Sequence, residues 1–388
     1  MTDLNADLDL DALRAHFPIL SRTNYLNSCS LGALSDAAEA ELGDFQEQWH
    51  LRGASAWYEY WMSKLATLRA KAGAVHGASE AETALMPSVS AALSMLTESM
   101  PRELIESGRN RVICSELDFP TLAYQFRVKP EIELVPLRSK DGIGIDTQQY
   151  EDAVDHRTLM VATSHVFYAT GFIQDIAAIA EIAHRAGAWC VIDGYQGSGQ
   201  IPVDLTGSGI DAYATGPLKW LCGGPGLGYL FVRNERIQEL TPRFTSWFAA
   251  KDQFAFDFEH FEFRDDARRF ELGTPPLATV HMALGAHNLL ESVGFDTIYA
   301  RDRALTDHLV ARLREEGFSL RMREDASRRS NIVMVRMADE ARVVSELADA
   351  GIVVDHRPGH VRVSAHVYNT TDELEHFVAE LGRIRDAT

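Results

Sequence analysis

Positive charge is scarce in this 388-residue sequence: 37 lysines and arginines stand against 56 aspartates and glutamates, a net charge of −19. That balance argues against nucleic acid or an anionic membrane surface as the main partner, because basic patches hold both. An anionic small ligand stays open, since a pocket can be locally positive on an acidic protein. Cysteine is scarce too. Cys29, Cys114, Cys190 and Cys222 form no CxxC pair, which argues against a zinc knuckle. Cys114 and Cys190 lie in apolar runs and read as buried, reduced thiols. No apolar run reaches about 18 residues, so no membrane span is expected. The acidic start "MTDLNADLDLDAL" has no basic region and no apolar stretch, so it does not read as a signal peptide. The expected location is the cytoplasm. Internal repeats and low-complexity segments are absent as well.

What is there is ordinary for a globular protein, with 46% apolar and 24% charged residues. The length predicts one large domain and a smaller one. Short apolar runs, "RVICS" (111–115), "EIELVPL" (131–137), "TLMVATS" (158–164), "AWCVID" (188–193), "DAYAT" (211–215) and "LGYLFV" (227–232), alternate with helical patterns such as "DIAAIAEIAHRAG" (175–187). Such alternation predicts an α/β fold with a mostly parallel sheet, and ligands on such sheets bind beyond the carboxyl ends of the strands. After residue 270 the pattern changes. A long helix over "PPLATVHMALGAHNLLESVG" leads into helix, strand, helix, strands and a final helix from Thr371, which predicts a compact α+β domain. The expected division is a large domain over 26–290 and a small one from 1–25 and 291–388.

Two charged residues stand out. Asp193 closes the run "WCVID", and Lys219 sits in the glycine-bracketed turn "GPLKWLCGGPG", 26 positions later. A lysine amine can form a Schiff base with an aldehyde cofactor. Pyridoxal phosphate further needs an acid at its ring nitrogen, an anion cradle and a flat group against its ring. Asp193 suits the first, the hydroxyl-rich helix start "PSVSAALSML" (87–96) the second, and Phe119 in "LDFPTLAY" the third. Taken singly, each has a simpler reading: a turn-forming aspartate, a solvated lysine, a helix-capping Ser88, a core phenylalanine. Their combination and order point to the cofactor.

The same segments resemble the class V aminotransferase group of fold-type-I pyridoxal phosphate enzymes, which includes kynureninases, cysteine desulfurases and isopenicillin N epimerase-like proteins. The resemblance runs through "NYLNSCSLGALS" (24–35), "MPSVSAAL", "LDFPTLAY", "SHVFYATGFIQDI" (164–176), "VIDGYQGSGQIPVDL", "GPLKWLCGGPGLGYLFVR", "RRFELGTPP" (268–276) and "VRVSAHVYNTTDEL" (361–374). It implies a large domain around a mostly parallel seven-stranded sheet and a small α+β domain. It also implies a site residue by residue. Lys219 resembles the Schiff-base lysine that also moves the Cα proton, and Asp193 the partner of the pyridine nitrogen. Ser88 and Val89 fall on the phosphate loop, Phe119 on the ring-stacking position, and Tyr168 and Thr170 on the turn beside the cofactor's O3′ oxygen, with Gln196 near it. Asn27 and Arg362 fall on the substrate side, Arg362 as the guanidinium for the α-carboxylate. Thr274 resembles a residue that reaches the neighbouring subunit's phosphate, which implies a homodimer with shared sites.

The departures narrow the reaction. Leu218 stands where many relatives carry a polar or aromatic residue, so Thr215 is expected to serve in its place. Tyr168 replaces the asparagine usual in desulfurases and is closer to kynureninase-like sequences. "VVDHRPGHVRVS" holds no cysteine, and a persulfide mechanism needs a thiolate there. "TSWFAAKDQFAFD" (245–257) resembles a kynureninase segment but has Ala249 and Ala250 where that segment carries histidine, leaving Trp247 to line a substrate pocket. The aromatic cluster "SAWYEYWMSK" (55–64) is expected on a helix, in core or interface. The expected activity is turnover of an α-amino acid through an external aldimine and a Cα carbanion, with cleavage at the β-position. Amino transfer, epimerisation and a non-catalytic ligand-binding relative are the alternatives.

Overall fold

The computed structural model describes residues 8–387; the first seven residues of the acidic N-terminus lie outside the described residues. The strands are β1 (Asn24–Tyr25), β2 (Thr83–Met86), β3 (Arg111–Ser115), β4 (Glu133–Leu137), β5 (Thr158–Ser164), β6 (Trp189–Asp193), β7 (Ala212–Thr215), β8 (Gly228–Val232), β9 (Val333–Arg336), β10 (Ile352–Val353), β11 (Asp355–Arg357) and β12 (His360–Val363). Seven form one sheet in the order β2-β8-β7-β6-β5-β3-β4. The four neighbouring pairs from β7 to β4 are parallel, as expected, whereas β8 runs antiparallel to both β2 and β7. Two reversals restore direction, so β2 runs in the same sense as β7. The carboxyl ends of β2, β3, β5, β6 and β7 therefore share one edge, and the loops leaving them converge there.

β5 shows why the centre of the sheet reads as an unbroken apolar run. All seven of its residues are buried. Successive side chains alternate sides: Val161 joins one core, while Met160 and Ala162 join the core on the opposite face. The crossover to β6 is the helix Ile176–Arg185, capped by Asp175 accepting from Ala178 N–H. Ile176, Ile179, Ala180 and Ala183 bury one stripe at helical spacing. The outer edge of β2 is closed by a side chain instead of another strand. Glu271 accepts from Leu85 N–H at 3.0 Å and is itself forked by Arg69 at 2.7 and 2.8 Å. This buried pair fixes the "ELGTPP" segment against the sheet.

The C-terminal part has its own core. β9, β12 and β11 form a three-stranded antiparallel sheet, and β1 pairs with β10. The helices Phe295–Glu315, Glu340–Asp349 and Thr371–Asp386 pack on them through Leu309, Leu313, Val343, Leu347, Phe377 and Leu381. The aromatic stretch differs from a plain α-helix: Trp57–Trp61 is a π-helical turn leading into Met62–Val75. All four cysteines are buried and unpaired. Among the described residues, no helix is long and apolar enough to cross a membrane.

Three buried histidines set an acid limit on stability. Burial pushes His76 and His165 down to about 4 and His287 to about 3. His76 accepts at Nε2 from Ser198 while its Nδ1 faces the Ala72 carbonyl. The unfolded chain binds these protons below about pH 6.5 and the folded one does not, so stability rises with pH in that window. The urea midpoint is expected to fall steadily from pH 6.5 to 4, with a shallower slope in His76→Gln. An unchanged slope in that variant would assign the acid limit elsewhere.

Candidate active site

The converging loops enclose a cavity of about 240 Å³. Of the residues expected at the site, Ser88, Val89, Phe119, Tyr168, Asp193, Gln196 and Lys219 line it. Ser88 caps the helix Val89–Glu98, accepting from Ala91 N–H, and leaves the first helical amides open to the cavity. Gly228 allows this: a Cβ there would stand 2.8 Å from the Ser88 carbonyl carbon. Phe119 precedes the helix Pro120–Arg127 as its N-cap and meets the Tyr168 ring edge-on, with centroids 5.2 Å apart.

Asp193 and Lys219 are the charged residues of the cavity lining. Asp193 is buried at the end of β6, and among the described residues its one side-chain hydrogen bond is from Tyr195 N–H, 3.0 Å. Burial raises its pKa, and the Tyr195 N–H and the Lys219 charge pull it back. Lys219 is half-buried, and among the described residues Nζ has no carboxylate or hydrogen-bond partner; it lies 4.5 Å from the Tyr195 ring centroid. Burial pushes its ammonium down to about 8, and the charges of Arg362 and Arg357 add to this, against Cys29 and Asp193.

The lysine turn is held from several sides. Gly32 N–H donates to Leu218 O at 2.9 Å, so close that a Cβ on Gly32 would sit 2.0 Å from Lys219 O. Trp220 donates its Nε1–H to Gln196 Oε1 at 3.0 Å, and Gln196 donates to Cys29 O at 2.9 Å. Gln196 thus braces the turn with both ends of its amide. Behind it, His366 donates to Trp220 O at 2.9 Å and pairs with Asp302 at 2.8 Å. Burial alone would lower His366, but the Asp302 carboxylate outweighs it and holds the imidazolium up to about 10.

The other expected residues lie outside the cavity wall. Thr215 spends its hydroxyl on Gly194 O, 3.3 Å, and Thr170 accepts from Phe172 N–H within its own turn. Asn27 bridges to Ser364 beside Cys29. Thr274 is exposed on the segment after Glu271. Trp247 is part-exposed in an aromatic cluster with Phe248, Phe254 and Phe256. Arg362 is buried beside the cavity, donating to Tyr168 O at 2.9 Å. Sequence reasoning missed Tyr195, Asp355, Arg357 and His366. Tyr195 carries a readable signal, the D-G-Y Asx turn in which an aspartate accepts from the amide two residues on.

A helix N-terminus, a carboxylate and a lysine gathered at the carboxyl edge of such a sheet define an α/β protein of the fold-type-I architecture. Residues 33–377 match the family Aminotransferase class-V, and the chain belongs to that family. An uncharacterized aminotransferase, YcbU, of Bacillus subtilis (strain 168) is 30% identical over 95% of this chain and 96% of its own. A kynureninase of Geobacillus thermodenitrificans (strain NG80-2) is 25% identical over 98% of this chain and 92% of its own. Among solved structures, apo cysteine desulfurase from Thermococcus onnurineus NA1 superposes with a TM-score of 0.86 at 19% identity, covering 97% of this chain and 98% of that one. A mutant of C-DES with glycine covalently linked to its PLP cofactor superposes equally well, 0.86 at 17% identity, over 95% and 98% of the two chains. These last two likenesses concern the fold.

Proposed function

We propose that this protein is a pyridoxal phosphate enzyme that acts on an α-amino acid, most readily by cleavage at the β-position. One observation carries the reading: a lysine amine with no hydrogen-bond partner among the described residues and a buried aspartate with one share a cavity with open helix amides. Those donors fit the cofactor. Lys219 offers the amine for its aldehyde, Asp193 an acceptor for its protonated ring nitrogen, and the amides after Ser88 a seat for its phosphate. Kynureninase and aminotransferase relatives support the same cofactor.

When bound, the cofactor supplies the electron sink. The protein's own groups do the rest. Lys219, with its ammonium pushed down from 10.5 to about 8, takes the substrate's Cα proton at Nζ in its unprotonated form, whose share grows as pH rises toward 8. Asp193 keeps its charge facing the ring nitrogen through the Tyr195 N–H. Arg362 holds the substrate carboxylate, and Phe119 and Tyr168 exclude water on the open side. The β11–β12 connection supports β-cleavage without a persulfide loop. It is the two-residue turn Pro358-Gly359, with Gly359 at φ +74°, and no cysteine lies there. Amino transfer is the second reading, favoured by the YcbU relative. The test is a panel of amino acids scored for pyruvate, alanine, sulfide or anthranilate, and for amino transfer to a keto acid. Cleavage products should dominate; transfer alone would reverse the preference.

The domain division at 26–290 and a homodimer belong to the same proposal. The exposed Trp247, Phe254 and Phe256 form an apolar patch, which suits a second subunit. A cytoplasmic site suits the four unpaired thiols.

A further inference from the structure

β11 and β12 run antiparallel, with Asp355 opposite Arg362. Residues two apart on a strand share a face, so Asp355, Arg357 and Arg362 project together beside Tyr168. A guanidinium has five N–H bonds. Arg362 commits Nε–H to Asp355 Oδ1 at 2.6 Å and one Nη2–H to Asp355 Oδ2. Its second Nη2–H goes to Ser30 Oγ at 2.6 Å and one Nη1–H to Tyr168 O at 2.9 Å. A substrate carboxylate needs two parallel N–H bonds, and only one is left. Arg362 cannot grip a carboxylate while Asp355 holds its fork.

Asp355 has somewhere to go. Arg357 Nη1 stands 3.4 Å from the same Oδ2. Among the described residues, Arg357 makes one other hydrogen bond, to the His356 carbonyl, so its Nε and Nη2 are unspent. Its guanidinium lies 5.5 Å from the ring centroid of Tyr168, which itself lines the cavity. Moving Asp355 from one guanidinium to the other keeps the carboxylate paired with a guanidinium and gives up the hydrogen bond it accepts from Ser30 Oγ at 2.6 Å.

We propose that Asp355 is an internal stand-in for the substrate carboxylate: it occupies the Arg362 fork until an amino acid arrives, then shifts to Arg357. The inference rests on the reading above, in which Arg362 takes the substrate carboxylate. It makes Asp355 and Arg357 specificity-determining residues. An amine without a carboxylate cannot displace Asp355 and gains nothing from Arg362.

The sign of the mutant effects separates this role from a structural one. Propionate binding to the holoenzyme, followed by calorimetry, is expected to tighten about tenfold in Asp355→Asn, because the competing anion is gone. In Arg357→Met it should weaken about tenfold, because the displaced Asp355 finds no partner. Arg362→Met should remove propionate binding in every background. L-alanine, followed by its effect on the visible absorption of the holoenzyme, should show the same pattern, and ethylamine should be indifferent to all three changes. If Asp355 merely braces Arg362, Asp355→Asn weakens propionate binding, and the proposal falls; it falls equally if Arg362→Met leaves that binding intact. If propionate follows the expected pattern while L-alanine leaves the absorption unchanged, the carboxylate exchange stands and the amino-acid reading fails instead.

Discussion

Lys219→Ala is expected to lower turnover by about 10²–10⁴ or more, the range that loss of a positioned proton-moving group alone produces. The variant should also lose the visible band and the borohydride-stable link to the cofactor, since among the described residues no other lysine lines the cavity. Its stability should move the other way. The folded protein holds the Lys219 ammonium at about 8, below its ordinary 10.5, so the ionised amine opposes folding at neutral pH. That cost is present below about pH 8 and fades as pH rises toward 10.5. Cofactor-free Lys219→Ala should therefore melt at or above the wild-type temperature at pH 7. A variant that keeps turnover, or retains the reducible band, would remove Lys219 from the chemistry. One that loses turnover through unfolding would show it in the melt.

Asp193→Asn is expected to cost about 10²–10³ in turnover, comparable to deleting one preorganised electrostatic group. The amide oxygen can still accept the Tyr195 N–H, so the turn keeps its shape and the loss reports charge. Asp193 is also one of the charges that support the Lys219 ammonium. Its neutralisation should lower the lysine pKa further, moving the acidic limb of any remaining activity to lower pH. A pH profile with an unmoved acidic limb and near-normal turnover would assign the ring-nitrogen contact to another group.

Much of this was readable in the chain. The apolar runs 111–115, 158–164 and 188–193 became strands because buried parallel strands are apolar on both faces, and the crossover helix declared itself by its stripe. Strand direction was not readable: nothing inside "LGYLFV" says that β8 runs against its neighbours. The same limit applies at the site. Asp193 could be found as a lone charge at a strand end, and Lys219 as a lone charge in a glycine-bracketed turn. The partners that consume a side chain are invisible to spacing. Gln196 looked free to meet a cofactor and is spent on Trp220 and Cys29. Thr215 looked like a replacement for a missing polar group and serves Gly194. Arg362 looked like an open fork and is closed by Asp355, which becomes its neighbour only when β11 folds against β12.

The His366–Asp302 pair gives the Lys219 turn an unusual kinetic character. The Trp220 carbonyl, next to the lysine, is fastened to an imidazolium from the C-terminal part of the chain, whose counter-ion lies on the helix Phe295–Glu315. The turn cannot fray alone, as a surface loop would on the nanosecond scale. Exposing it means breaking a hydrogen bond from a charged donor, His366 to the Trp220 carbonyl, a cost on the order of 1.5–3 kcal/mol. Opening of the lysine turn and undocking of the C-terminal core are then coupled.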